Sequence, residues 1–129
     1  MVVGNIVLNI VSVYAPQVGR STEEKEEFYG VLGKVLRETS TNESTCIFVC
    51  GDMNGHVGIE SNGYHGVHGR NGFGRRNEEG ELLLEFACAK DLVIANIIFS
   101  NDEAKKITYE YGGCKKSELY KFLYSDTYK

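Results

Sequence analysis

Two short runs constrain this chain more than any other feature. Ile6 to Tyr14 is nearly continuous in apolar and β-branched residues, and Cys46 to Cys50 is apolar throughout. A strand with one wet face alternates polar and apolar residues, so unbroken runs of this length are expected for central strands covered on both faces. Ala15-Pro16 closes the first run, because proline lacks the N–H that a ladder needs and holds its predecessor extended. Ser21 and Glu24 then make a capping-box pattern, followed by Phe28, Val31, Leu32 and Val35 at helical spacing. The spacing predicts an amphipathic helix over 22–38, weakened by Gly30 and Gly33 and dependent on packing. A second helix is predicted over 78–90, capped by Asn77, with Leu83, Phe86 and Ala87 inward and Leu82 and Leu84 flanking. Leu92 to Ala95 reads as another buried strand and Ile107 to Tyr109 as a weaker one. Strands alternating with helices make a layered α/β domain.

The 129 residues fit one domain, and 42% hydrophobic with 25% charged residues is a globular balance. No apolar run approaches the roughly 20 residues that cross a bilayer. Met1 to Tyr14 has no basic leader and is interrupted by Asn5 and Asn9, so a strand is expected there rather than a secretory signal. Cys46, Cys50, Cys88 and Cys114 form no C-x-x-C pair. Cys46 and Cys50 stand roughly 13 Å apart along an extended strand, beyond disulfide reach. Buried free thiols in a reducing compartment, nucleus or cytoplasm, are therefore expected. The net charge of −4 argues against a strongly basic nucleic-acid binder. Arg70, Arg75 and Arg76 nevertheless gather in a glycine-rich loop, an arrangement compatible with phosphate contact.

The segment from Gly51 to Asn77 holds eight glycines and all three histidines and shows no period, as a long functional loop would. It opens with Gly51-Asp52-Met53-Asn54, directly after a central strand. Sites in open α/β sheets gather at such carboxyl ends. Asp52 can orient or deprotonate a water, and Asn54 can donate to a phosphate oxygen. The same residue types also build ordinary turns, and spacing alone favours the turn. Tyr14 and Gln17 can bring a phenol and an amide to the same rim, or can be a core tyrosine followed by a proline turn. His56, His65 and His68 lack the cysteine or carboxylate partners of a zinc site and read as surface loop histidines. Gly66 to Gly74 lacks the Gly-Lys-Ser/Thr ending of a phosphate-binding P-loop.

Four segments occur in order: Val13-Tyr14-Ala15-Pro16-Gln17, then Gly51-Asp52-Met53-Asn54-Gly55-His56-Val57-Gly58, then Gly72-Phe73-Gly74 with Arg76-Asn77-Glu78-Glu79-Gly80, then Asp91-Leu92-Val93-Ile94-Ala95-Asn96. Together they resemble the endonuclease/exonuclease/phosphatase superfamily, from about Val3 to Gly113. They look closest to the endonuclease domains of non-LTR (LINE-type) retrotransposons and their craniofacial development protein 2-like relatives. The resemblance implies a four-layer α/β sandwich, Mg²⁺ as cofactor and hydrolysis of a phosphodiester in DNA. Carried over by position, Asp52 orients or activates the attacking water, Asn54 positions water and phosphate, and Tyr14 contacts the scissile phosphate. Gln17 stands where many relatives have asparagine, and Arg70, Arg75 and Arg76 would contact the DNA backbone. His56 and Asn77 match the subfamily pattern without an assigned step.

The departures are equally specific. Relatives supply a metal-binding glutamate from an earlier strand and end in a Ser-Asp-His-type segment, and neither is present here. Tyr120 stands where relatives have an aspartate. The expectation is a partial sandwich domain over 1–116, truncated at both ends, with a divergent tail over 117–129. Such a chain is expected to be inactive alone and to self-associate through exposed sheet edges. The alternatives are a non-catalytic interaction remnant, or a phosphatase or phosphodiesterase of the same superfamily.

Overall fold

A computed structural model describes residues 1–39, 45–98, 109–111, 115–117 and 120–125. In chain order these form β1 (Val2–Val3), β2 (Ile6–Tyr14), α1 (Thr22–Glu38), β3 (Thr45–Asp52) and α2 (Glu78–Ala89). β4 (Leu92–Ile94), α3 (Ala95–Ile98), β5 (Tyr109–Tyr111), β6 (Lys115–Ser117) and β7 (Tyr120–Ser125) follow. The main sheet runs β1-β2-β3-β7-β4, and β5 pairs with β6 in a separate ribbon. β2 and β3 are parallel, in register from Val7 opposite Thr45 to Tyr14 opposite Asp52, with α1 as the crossover. β7 lies antiparallel to β3 on one side and to β4 on the other. Within the 117–129 segment, read from the sequence as a divergent tail, Tyr120–Ser125 forms an interior strand of the sheet. Tyr120 is in register with Asp52. Of the strand anticipated over Ile107 to Tyr109, residues 107 and 108 lie outside the described residues, and Tyr109 opens β5.

Local chemistry sets the helix boundaries. The Ser21 hydroxyl accepts from the Glu24 N–H at 3.2 Å, and α1 spans the anticipated 22–38. Asn77 Oδ1 accepts from the Gly80 N–H at 2.8 Å and starts α2 at the anticipated residue. Both caps satisfy amide groups that have no partner inside the helix. Ala95 opens the short α3 instead of ending the strand at 92–94.

One core joins the sheet to both long helices. Ile47 and Val49 of β3, Leu32 of α1, and Leu83, Leu84 and Ala87 of α2 are buried together, with Val11, Val13, Phe28, Tyr29 and Phe86 packed against them. Two expectations change. α1 buries Leu32 in the core and Gly33 beside the Lys90 side chain and leaves Val31 and Val35 exposed, so its buried stripe is rotated from the predicted one. α2 buries Leu84 fully while Phe86 is only partly covered. The sheet is also covered differently from expectation. Ile10 of β2 is 57% exposed, and Cys46, Phe48 and Cys50 are half-buried. Both long helices occupy the same face, so the alternate residues of β2 and β3 look outward. The architecture is mixed α/β. No described helix is long and apolar enough to cross a membrane.

Candidate functional site

The parallel register of β2 and β3 brings two of the anticipated residues together without help from side chains. Tyr14 and Asp52 are neighbours across the strand pair, and the Ala15 N–H donates to the Asp52 carbonyl at 2.8 Å, one step past the ladder. Gly51 makes this approach possible. It has φ +141°, and a Cβ there would lie 1.9 Å from the Val13 carbonyl oxygen, so no other residue fits. Beyond Asp52 the chain turns back through Asn54, whose φ of +47° is in the left-handed region that asparagine tolerates. The Asn54 N–H donates to Asp52 Oδ1 at 2.9 Å, and its Nδ2 donates to the Ala15 carbonyl at 2.7 Å. Tyr14, Asp52 and Asn54 therefore converge at one rim. Asp52 is 9% exposed there, whereas Tyr14 is 65% exposed and accepts from Gln17 Nε2 at 3.2 Å. The turn geometry and the rim placement hold at once, because the turn is what carries the asparagine back to the strand ends.

The loop beyond the rim is tightly pinned. Met53 and Val57 are buried in the core, and α2 holds the segment between them through its own cap. Asn77 Oδ1 accepts from the His56 N–H as well as from Gly80, and the Asn77 N–H returns a bond to the His56 carbonyl. A Cβ on Gly80 would sit 1.8 Å from that carbonyl oxygen. His68 is buried at 3% exposure rather than on the surface. Its Nδ1 accepts from the Arg70 N–H at 3.0 Å and its Nε2 faces the Gly58 carbonyl at 2.8 Å, which defines the neutral tautomer with hydrogen on Nε2. His65 is exposed.

The three arginines part company. Arg76 is a structural tie: Nε donates to the Val57 carbonyl and Nη1 to Glu81 Oε2, both at 3.0 Å, and Nη2 donates to the Glu60 carbonyl. Its guanidinium also lies 5.2 Å from the centre of the Tyr64 ring. Arg70 Nε donates to Ser61 Oγ. Arg75 is exposed in a cavity shared with Gly58, Glu60 and Asn62, and no rim residue lines that cavity. The groove that does contain Tyr14 and Gln17 is completed by Arg20, Glu24 and Phe28, which the motif reading missed because they belong to α1 and its approach.

Two polar clusters are built on α2. Lys25 of α1 and Glu79 of α2 form an ion pair of 2.8 Å, with side chains only 12% and 9% exposed. Burial pushes the Glu79 carboxyl upward, but the Lys25 hydrogen bond, a backbone hydrogen bond and nearby positive charge outweigh it and hold it below 4.5. The same hydrogen bond raises Lys25 above 10.5, against burial. Burial and then the Glu79 charge raise the neighbouring Tyr29 phenol. Tyr64 donates to Glu81 Oε1 at 2.5 Å. That bond, reinforced by burial, pushes its phenol up to about 12.

Magnesium demands near-octahedral oxygen ligation. Asp52 is the one carboxylate at the end of β3, one of its oxygens already accepts from Asn54, and no group of three metal-ligating side chains occurs among the described residues. Those residues do not by themselves fit a resident Mg²⁺. Among the described residues the free thiols are Cys46, Cys50 and Cys88; Cys46 and Cys50 are half-buried and Cys88 is exposed, less sheltered than anticipated.

Among curated proteins, the chain is 34% identical over 102 residues to craniofacial development protein 2 of Bos taurus. It is 33% identical over 102 residues to craniofacial development protein 2 of Tragulus javanicus. The matched segment takes in 79% of this chain and 17% of each relative, so the chain spans about one sixth of the length of these proteins. The likeness to craniofacial development protein 2 is thus one of sequence as well as of motifs. No family model matches the chain, and no solved structure does.

Proposed function

We propose that the rim of Tyr14, Asp52 and Asn54 is the water- and phosphate-orienting part of a phosphodiester-hydrolysing site, of the kind found in LINE-type retrotransposon endonucleases, and that this chain by itself does not turn substrate over. The observation that carries the reading is the convergence at one strand end of a nearly buried carboxylate, an amide and a phenol. Asp52 is suited to hold a water and accept its proton as the water oxygen attacks phosphorus. Asn54 Nδ2 keeps a second hydrogen beyond the one given to Ala15, and that hydrogen and the Tyr14 hydroxyl are suited to charge developing on phosphate oxygens. Hydrolysis also needs charge neutralisation and a proton for the leaving oxygen, and one carboxylate with one amide supplies neither. The outward face of β2 and β3, with Ile10 uncovered, suits a second sheet, as in a four-layer sandwich. DNA enters as the substrate class through the resemblance.

The test is nicking of supercoiled plasmid in Mg²⁺, with Asp52→Ala in parallel. Members of a catalytic constellation are strongly non-additive, so absent partners leave only residual catalysis. No Asp52-dependent nicking is expected from the 129-residue chain. Placed within a longer polypeptide that adds a metal-binding glutamate and a Ser-Asp-His segment, the same rim is expected to nick, with Asp52→Ala abolishing it. Robust Asp52-dependent cleavage by the chain alone overturns the inactivity. A longer polypeptide that nicks equally well with Asp52→Ala overturns the site.

A further inference from the structure

The groove at the rim is built for more than a phosphate. Tyr14, Gln17, Arg20, Glu24 and Phe28 line an open groove of about 400 Å³. Tyr14 remains 65% exposed while its hydroxyl oxygen accepts from Gln17, so it offers a ligand aromatic surface as well as the hydroxyl hydrogen. Phe28 lines the same groove from α1. The Arg20 guanidinium stands 3.9 Å from Glu24, with both side chains at least half exposed. A pair that loose contributes little, and a phosphate that accepts two parallel N–H bonds competes well for the guanidinium. Gln17 and Glu24 add an amide and a carboxylate, the donor and acceptor types that read the edge of a planar heterocycle.

Aromatic surface, one exposed guanidinium and two edge-reading groups match the parts of a single nucleotide. A base inside a duplex has both faces stacked on its neighbours and cannot lie against a tyrosine, whereas a base in a single strand can. We propose that this groove binds one unstacked nucleotide beside the rim, so that the preferred nucleic acid is a single strand rather than duplex DNA. The position of that nucleotide next to a scissile phosphate rests on the function proposed above; its binding in the groove does not. With Glu23, Glu24, Glu26 and Glu27 on the adjoining helix, a long electrostatic track is ruled out. A single arginine–phosphate contact predicts a shallow salt dependence, with a logarithmic slope near −0.7.

The experiment is an NMR titration of the whole chain with a short oligothymidylate, a blunt DNA duplex and inorganic phosphate. The oligothymidylate is expected to shift the Tyr14 and Phe28 ring signals and the Gln17 side-chain amide, and to bind about tenfold or more tightly than the duplex. Tyr14→Leu and Arg20→Ala should each weaken it about tenfold, a typical loss for one stacking or charged contact. Arg20 is exposed, so its variant tests the proposal even if Tyr14→Leu fails to fold. Equal or tighter duplex binding, the same shifts with inorganic phosphate, no binding, or indifference to Arg20→Ala overturns the proposal. The Asn54 side-chain amide separates the two readings. Shifts at Gln17 and Phe28 with none at Asn54 sink the catalytic rim and leave the groove standing, and the reverse pattern sinks the groove.

Discussion

Asn54 holds its backbone at a positive φ while its side chain ties β2 to the end of β3. A glycine would accept the same angle but would leave the Ala15 carbonyl without that donor. The Gly-Asp-x-Asn pattern was readable because both of its demands, turn geometry and strand-end placement, are local. His68 and Arg76 were not readable in the same way, since their partners lie 10 to 19 residues away at Gly58, Val57 and Glu60. Nothing in a glycine-rich loop announces which of its polar residues will be enclosed. Tyr64 follows from that enclosure. Its hydrogen bond to Glu81 holds the proton, so the phenol titrates above its unfolded value of 10.0, at about 12. A phenol raised on folding contributes stability that is fully present below its unfolded pKa and is lost as pH climbs through about 12. Ultraviolet titration of tyrosinate absorbance should resolve this group, and Glu81→Gln should bring it down towards 10 by removing the carboxylate. A Tyr64 that titrates normally in the parent chain would show that the bond to Glu81 does not persist in solution.

Helix termini were readable residue by residue, because Ser21 and Asn77 act on amides only three positions away. Helix rotation was harder. Phe28, Val31, Leu32 and Val35 fit one apolar stripe, yet the buried face is centred on Leu32 and Gly33. Lys25 contributes to that outcome, since it must reach Glu79 on α2, and a buried pair separated by 54 residues has no signature in either helix. The pair fixes how α1 and α2 sit over the loop that leaves the rim, because Glu79 adjoins the cap and the glycine that hold His56. Its pH dependence has a defined sign at both ends. Glu79, lowered below 4.5, contributes stability that is present above that value and is lost as pH falls through its folded pKa. Lys25, raised above 10.5, contributes stability present below that value and lost as pH rises through its folded pKa. Thermal melts across the acid range should show stability declining below the ordinary carboxylate range. Glu79→Gln should lower the melting temperature at neutral pH and flatten that acid decline. An unchanged acid limb in the variant would assign the decline to other carboxylates.

For the molecule as a whole, the uncovered sheet face is the dominant fact. Ile6 and Ile10 are exposed on that face of β2, and Met1, Val2 and Val3 are exposed along the outer edge of the sheet. Contiguous apolar surface and an open strand edge both favour association. The isolated chain should therefore bind an apolar dye and elute from size exclusion as more than a monomer, with Ile10→Thr reducing both effects. A monodisperse monomer that unfolds cooperatively and ignores the dye would mean that this face is covered in solution. The apolar runs of β2 and β3 foretold central strands correctly, but two-sided covering does not follow from the runs alone. The place of β7 could not be foretold at all, because a strand's neighbours are set by tertiary pairing and a six-residue segment is compatible with several. That place has a temporal consequence. β7 is the most C-terminal element described, yet it separates β3 from β4. As the chain leaves the ribosome, β2 and β3 can pair early around α1, while β3 and β4 each wait with an open edge for a partner not yet translated. Closure of the sheet is therefore a late event, and the interval of vulnerability to misassembly is governed by the pace of translation rather than by the intrinsic speed of the fold.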